Sequence, residues 1–213
     1  MTNTEKDITD PNDPFAGIQP MTIVPPSLHE QTLEQVLVTP VVVPGTDRHE
    51  IRLYDFFTNN NLRRLAHTIS IRNSTKTNHL SQSTILATAM IHGQAIIEHE
   101  LEDLFDKISA IYVDSVTDRY EMFESVFMSF KPAVNFGHDR LRAVLSSQDL
   151  EILSSRSYLL NINPGQFATA CIIASLDGCE ALSPELSTIV AKKHKYFIYS
   201  CNMVLDLLEK YKY

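Results

Sequence analysis

The densest set of possible metal ligands in the sequence lies between His92 and Asp106. This stretch contains two histidines and five carboxylates within fifteen residues. Imidazole and carboxylate groups are ligands that zinc and related metals accept, so the composition is compatible with a metal site. The same side chains are also typical of a helix face that contacts water. Their positions around the helix distinguish the two interpretations.

Periodicity predicts that this stretch belongs to one long helix, beginning at Ser81 or Ser83. Its apolar positions recur at spacings of three and four residues. They are Leu86, Met90, Gly93, Ile97, Leu101, Leu104, Ile108 and Ile111. At roughly 100° per residue, a group of polar residues falls on the face opposite Ile97. That group is His92, His99, Asp103 and Asp106.

A metal on this face would need more ligands than one helix supplies. His92, His99 and Asp103 are spread over about three helical turns, so their side chains cannot meet at one ion. A pair spaced by four residues, such as His99 with Asp103, leaves the remaining ligands to another helix. We therefore predict an exposed acidic helix face, no metal site and no cofactor.

A basic segment, residues 61–80, precedes this helix. It contains four bases and no acid, whereas residues 81–130 contain nine acids and two bases. The formal net charge of −8 disfavours general nucleic-acid binding, but a local basic cluster can still face phosphates. The candidate nucleic-acid or anion-binding residues are Arg63, Arg64, Arg72 and Lys76. The alternative is a solvated helix end that balances the acidic helices beside it.

The usual catalytic motifs are absent from the sequence. There is no G-x-S-x-G, no Walker lysine loop, no dinucleotide glycine fingerprint and no H-E-x-x-H. We therefore predict that the protein is not an enzyme and assign no catalytic residue.

One arrangement loosely resembles the HD-type metal phosphohydrolases. It consists of the pair His138-Asp139 with an upstream His99 and a later Asp177 or Asp206. The resemblance implies a metal whose bound water becomes the nucleophile. Gly137 before the pair and Arg140 after it depart from the family pattern. Asp139 also suits the first turn of a short helix over 139–145, where the helix dipole favours an acid.

The three cysteines indicate a reducing environment. Cys171, Cys179 and Cys201 form no tight pairs and lie in apolar, helix-like surroundings, which predicts buried reduced thiols. The acidic, polar N-terminus predicts no signal peptide. The longest apolar run, 167–176, is about half the length of a membrane span. We expect a soluble, cytoplasmic protein that does not contact a membrane.

Helices are the elements that must position these residues. Few glycines and the three-four periodicity predict an all-α, multi-helix bundle of about six to seven helices. Residues 1–27 contain five prolines and are predicted to form a flexible or extended N-terminal arm. Residues 28–57 are predicted to be an irregular segment with a short helix or strand. Residues 58–213 are predicted to be the helical domain.

Capping residues divide the helical domain. The other predicted helices begin at Thr58 or Asn59, Thr117, Asp139, Ser147, Asn163 and Ser183. The stretch 49–56 alternates weakly and could be a short strand, although no second clear strand is visible to pair with it. The last helix is predicted to run for about 26 residues, or roughly 40 Å. In that helix, Lys193 aligns with Val190 and Phe197, so it is expected to snorkel or to meet a carboxylate.

The sequence predicts a hydrophobic core, an arm and a long final helix, and it contains no reaction motif. These features indicate a protein that functions through its binding surfaces. We expect a non-enzymatic structural or assembly protein, of which a coat- or nucleocapsid-like subunit is the specific version. It would self-associate and neutralise nucleic-acid phosphates with residues 61–80. The alternatives are a monomeric helical adaptor or regulator that binds a protein partner, and the metal-dependent phosphohydrolase.

Overall fold

A computed structural model describes residues 26–54, 64–65, 67–69, 71, 80–113 and 142–210. Of these residues, 70% are helical and 6% are in strands, which confirms the predicted all-α, multi-helix fold. The predicted arm (1–27) and the predicted helix at Thr117 lie almost entirely outside the described residues.

The described elements have a fixed order along the chain. They are a 3-10 turn (Leu28–Glu30), α1 (Leu33–Val36), β1 (His49–Arg52), α2 (Gln82–Glu100), α3 (Glu102–Val113), β2 (Arg142–Leu145), α4 (Ser147–Leu159), α5 (Pro164–Leu176) and α6 (Pro184–Lys210). Residues 64–65, 67–69 and 71 are also helical. There, Leu65 and Ile69 are buried as their spacing predicts, whereas Ile71 is exposed.

The starts of α2, α5 and α6 coincide with predicted caps. The Ser81 hydroxyl accepts a hydrogen bond from the Thr84 amide at 3.1 Å, and Asn163 Oδ1 accepts one from the Gly165 amide at 2.8 Å. These contacts satisfy amides that the first turn of a helix leaves unpaired. The start of α4 is displaced by one residue, because Ser146 rather than Ser147 forms the cap.

The core is built around the contact between α2 and α5. Every residue of α5 from Phe167 to Leu176 is buried, and six consecutive residues of α2, 85–90, are buried as well. Helices α4 and α6 pack on α5, while the 3-10 turn, α1 and β2 pack on α2. Both central helices are therefore covered on several sides, and a polar face on either of them is not automatically a solvent face.

The short sheet corrects the prediction of a helix over 139–145. Residues Arg142–Leu145 form β2, which pairs antiparallel with β1 so that Ile51 lies opposite Ala143. Ala143 and Leu145 are buried while Arg142 is exposed, which is the two-residue alternation of a half-buried strand. A four-residue stretch is too short for its own pattern to distinguish helix from strand, and the distant partner β1 decides.

Two buried threonines attach the extended segments to the central helices. The Thr88 hydroxyl on α2 accepts a hydrogen bond from the Val41 amide at 2.9 Å. The Thr169 hydroxyl on α5 accepts one from the Tyr54 amide at 2.9 Å and donates to the Gly165 carbonyl at 2.7 Å. Both side chains are fully buried, so each hydrogen bond satisfies a polar group that has no access to water.

Within the described ranges, no single helix has both the length and the apolar character of a membrane span. Taken together, α4 and α5 reach that length and composition, but they are bent by 101° relative to each other.

Candidate functional site

The structure separates the acidic stretch 92–106 into two helices. Helix α2 ends at Glu100, and Leu101 leaves the helical conformation with φ −117° and ψ 23° before α3 begins at Glu102. Glu102 and Asp103 therefore occupy the first turn of α3, where the helix dipole stabilises negative charge. The predicted apolar positions from Leu86 to Ile108 are buried, although they belong to two helices.

His92 is buried, with 1% of its surface exposed, which corrects its predicted place on a solvent-exposed face. Its Nε2 lies 3.0 Å from the Gln31 carbonyl oxygen, and its Nδ1 lies 2.8 Å from the Ser175 hydroxyl. Because a carbonyl can only accept, Nε2 carries the proton and Nδ1 accepts from Ser175. Burial lowers the pKa of His92 below its usual value. This neutral imidazole joins α2, α5 and the N-terminal 3-10 turn.

Four other polar residues of the stretch, Glu98, His99, Glu102 and Asp106, border an open surface pocket of about 420 Å³. His99, Asp103 and Asp106 are exposed, as predicted. The lining residues come from the 3-10 turn, both halves of the stretch and α4, and they are His29, Ala95, Glu98, His99, Glu102, Phe105, Asp106 and Arg156. His29, which lies outside the stretch, contacts His99 in this pocket.

The two histidines of this pocket contact each other through their faces. The rings of His29 and His99 are stacked with centroids 4.0 Å apart and an interplanar angle of 20°. Ring nitrogens point outward in the ring plane, so stacked rings do not direct their lone pairs at a common ion. Across the described part of the chain, no group of three or more His, Cys, Asp or Glu side chains is placed to hold a metal.

One of the carboxylates that line the pocket is paired with a base. Arg156 Nε donates to Glu98 Oε1 at 2.7 Å, and the guanidinium lies 5.0 Å from the centroid of the Phe105 ring. Glu102 and Asp106 remain exposed on the rim. The pocket is therefore acidic overall and suits a cationic group better than an anionic one.

A buried histidine inside α6 contacts the C-terminal ends of α2 and α5. His194 is 8% exposed at its side chain, and its Nδ1 donates to Asp177 Oδ2 at 2.9 Å. Its Nε2 lies 2.8 Å from Glu100 Oε2, but off the N–H direction, so this contact is an ion pair rather than a well-aligned hydrogen bond. Burial opposes protonation, but Glu100 and Asp177 outweigh it and raise the pKa of His194 above its usual value.

His194 was not among the residues that the sequence pattern predicted to be buried or functional. The prediction placed Lys193 on the stripe with Val190 and Phe197, but His194 is the buried member and Lys193 is only half-buried. The observable signal was the spacing of four and three residues from Val190 to His194 to Phe197. That spacing continues to Cys201 and Val204, which are also buried.

The three thiols are buried, as their apolar surroundings predict. Burial raises the pKa of Cys171 and of Cys201 well above the usual range. Burial and the neighbouring Glu34 carboxylate raise the pKa of Cys179 to about 12. Its thiol donates to Glu34 Oε1 at 3.0 Å, a contact that fastens α1 to the turn after α5.

We expect a thiol reagent such as DTNB to leave the native protein essentially unmodified at neutral pH. The reason is that the thiolate is the reactive form, and it is scarce when the pKa is raised and the sulfur is buried. Release of the chromophore can be followed before and after unfolding in guanidinium, where all three cysteines should react. Fast reaction of even one thiol in the native protein would contradict this expectation.

Only one of the predicted phosphate-contacting residues can be placed. Arg64 is helical and exposed, a position compatible with contact to a phosphate. Arg63, Arg72 and Lys76 lie outside the described residues.

The phosphohydrolase-like residues are only partly described. His138 and Asp139 lie outside the described residues. Of the others, His99 stacks on His29, Asp177 accepts a hydrogen bond from His194, and Asp206 is exposed on α6.

Helix α6 has an exposed apolar stripe in addition to its buried one. Ile189, Tyr196, Tyr199 and Met203 are 45%, 50%, 62% and 45% exposed. Their spacings of seven, three and four residues place them along one side of the helix, away from the buried stripe. The α6 stripe, as we call these four residues, is about 21 Å long at 1.5 Å per residue.

The chain was compared with known proteins. No family model matches it, and neither a curated protein nor a solved structure gives a match.

Proposed function

We propose that this protein is a non-enzymatic structural subunit that self-associates and contacts nucleic-acid phosphates. The observation that carries the proposal is the α6 stripe. It presents four large apolar side chains along one side of the longest described helix, with the exposed Lys192 between Ile189 and Tyr196. Single exposed apolar residues are common on protein surfaces, but contiguous rows of them usually mark contact surfaces.

The support beneath the α6 stripe favours a rigid contact surface. The opposite side of α6 is fixed to the core by Val190, Phe197, Cys201 and Val204, all of which are buried. The charge-assisted contact of His194 with Asp177 holds the helix to the end of α5. A surface that is already ordered loses little conformational entropy when a partner binds.

Nucleic-acid contact is supported by charge. Residues 61–80 carry four bases and no acid within an otherwise acidic protein, and Arg64 is exposed. Concentrated positive charge gains affinity for a polyphosphate backbone by releasing its counterions. Contact through this segment would therefore be insensitive to base sequence and would weaken as salt increases.

The decisive experiment measures the molar mass of the protein in solution together with its ultraviolet absorbance. Size-exclusion chromatography with light scattering should show a mass above that of one 24.1 kDa chain, and the mass should increase with concentration. Because the chain has no tryptophan, bound nucleic acid should clearly raise the ratio of absorbance at 260 nm to that at 280 nm. A strict monomer, both before and after RNA is added, would refute the proposal.

A variant test separates the nucleic-acid contact from assembly. We expect replacement of Arg63, Arg64, Arg72 and Lys76 by alanine to weaken single-stranded RNA binding and to reduce its logarithmic salt dependence by roughly 3. Fluorescence anisotropy at several salt concentrations measures both quantities. Lys195→Ala, which removes one exposed lysine of α6, is the control and should change neither. An unchanged salt dependence in the fourfold variant would exclude these residues as phosphate contacts.

The second candidate is a monomeric adaptor that binds a protein partner. The observation that favours it is the acidic pocket beside the His29–His99 stack, whose rim carboxylates could receive a basic side chain of that partner. The light-scattering experiment separates the two candidates, because an adaptor of this kind remains monomeric at every concentration.

A further inference from the structure

We propose that the α6 stripe binds a second copy of the same chain, with the two α6 helices antiparallel and Tyr199 beside the two-fold axis. This inference rests on the proposed self-association and specifies its geometry. The argument depends on how charges and apolar side chains are distributed around Tyr199.

Opposite charges lie at equal distances from Tyr199. Lys192 is seven residues before it and Asp206 is seven residues after it. At 100° per residue, both lie about 20° from Tyr199, on the side of the α6 stripe that Tyr199 occupies. Both are exposed, and neither has an ion-pair partner among the described residues. In an antiparallel pair centred on Tyr199, Lys192 of each chain lies level with Asp206 of the other.

The apolar side chains also alternate in that arrangement. The level of Tyr196 falls between those of Tyr199 and Met203 of the partner copy. Ile189 falls close to the level of Leu207 of the partner copy, which is half-buried in one chain. Helices that pack side by side interleave their side chains in this way, so knobs of one helix enter gaps of the other.

The parallel arrangement lacks this complementarity. In a parallel two-fold pair, each residue lies level with its own copy, so Lys192 would lie level with Lys192 and Asp206 with Asp206. Like charges at an interface oppose association and select against that orientation. The charge pattern therefore favours the antiparallel pair.

Disulfide cross-linking tests the position of the axis. In full-length protein, Tyr199→Cys should form a covalent dimer on mild oxidation with diamide, because residues beside a two-fold axis come within disulfide distance. Glu185→Cys is the matched control, since it is exposed on the same helix. In the antiparallel pair its two copies are roughly 42 Å apart at 1.5 Å per residue, so it should stay monomeric on a non-reducing gel. The three native cysteines are buried and should not contribute.

Charge reversal tests the pairing of Lys192 with Asp206. We expect Lys192→Glu and Asp206→Lys each to weaken dimerisation roughly tenfold, because each change places like charges together at two symmetric positions. The double variant should return to near the wild-type dissociation constant, measured by sedimentation equilibrium.

The outcomes separate this inference from the proposed function. Self-association without cross-linking of Tyr199→Cys, or with cross-linking of Glu185→Cys, overturns the antiparallel pair and leaves assembly through another contact. A monomer at all concentrations overturns both. A Tyr199→Cys thiol that does not react with a maleimide in the monomer shows that the chain itself covers the α6 stripe, which also overturns the inference.

Discussion

Replacing Gly93 by alanine is expected to destabilise the protein by about 3 kcal/mol or more. A Cβ atom at this position would lie 1.6 Å from the Cys171 carbonyl oxygen and 2.4 Å from its carbonyl carbon. Both are backbone atoms of α5, so no side-chain rotation relieves the overlap and the two central helices must move apart. Overpacking of a well-packed core costs about 1–3 kcal/mol, and a forced separation of helices lies at or above the upper end.

Urea unfolding followed by circular dichroism measures this effect. A loss of about 3 kcal/mol corresponds to a fall in melting temperature of roughly 6–12 °C for a chain of this size. Gly45→Ala is the control, because nothing lies within 4 Å of a Cβ built there. It should be neutral or slightly stabilising through its effect on the unfolded chain. If Gly93→Ala were as stable as Gly45→Ala, the close approach of α2 to α5 would be wrong.

Replacing His194 by glutamine is expected to destabilise the protein by about 2–4 kcal/mol at mildly acidic pH. The change leaves Glu100 and Asp177 without the cation between them. Removing one partner of a buried pair is strongly destabilising. The effect should be smaller than for a fully buried pair, because Glu100 and Asp177 are 37% and 30% exposed and keep some hydration.

The pH dependence of this loss follows from the raised pKa of His194. A histidine whose pKa is higher in the folded state binds its proton more tightly there. Its contribution is fully present below the unfolded value of about 6.5 and is lost as the pH rises through the folded value. The difference in unfolding free energy between wild type and His194→Gln should therefore shrink as the pH is raised above that value.

His92 provides a control with the opposite sign. Its pKa is lowered by burial, so its contribution is present above about pH 6.5 and is lost as the pH falls through the folded value. The difference between wild type and His92→Gln should shrink on acidification instead. Urea titrations of both variants at several pH values measure these slopes. A pH-independent difference for His194→Gln would show that His194 is not charged in the folded protein.

The all-α fold and the starts of α2, α5 and α6 were accessible from the sequence. Ser81 and Asn163 cap helices because their side chains bond amides within three residues, an interaction encoded entirely locally. The spacing that places Met90 and Ile97 in the core is also local. Interactions of this range need no knowledge of how the helices pack.

The break at Leu101 and the strand at Arg142–Leu145 were not accessible in the same way. The apolar spacing continues across Leu101, so the pattern alone describes one helix where the structure has two. The strand depends on β1, whose residues lie about ninety positions earlier in the chain. Local propensity is weak enough for such distant contacts to override it.

Local patterns along the chain are enough to predict the helical class, the buried state of the three thiols and the apolar positions of α2 and α3. The tertiary structure alone decided which polar residues are buried. On a helical wheel His92 belongs to the acidic face, but Ser175 and Gln31 enclose it from 83 and 61 residues away. His194 lies in a lysine-rich turn and is buried between carboxylates of two other segments. A helical wheel assumes that a helix has one buried side and one side that faces solvent. A helix packed on several sides also buries polar groups, and only the tertiary structure brings the hydrogen-bond partners of those groups near.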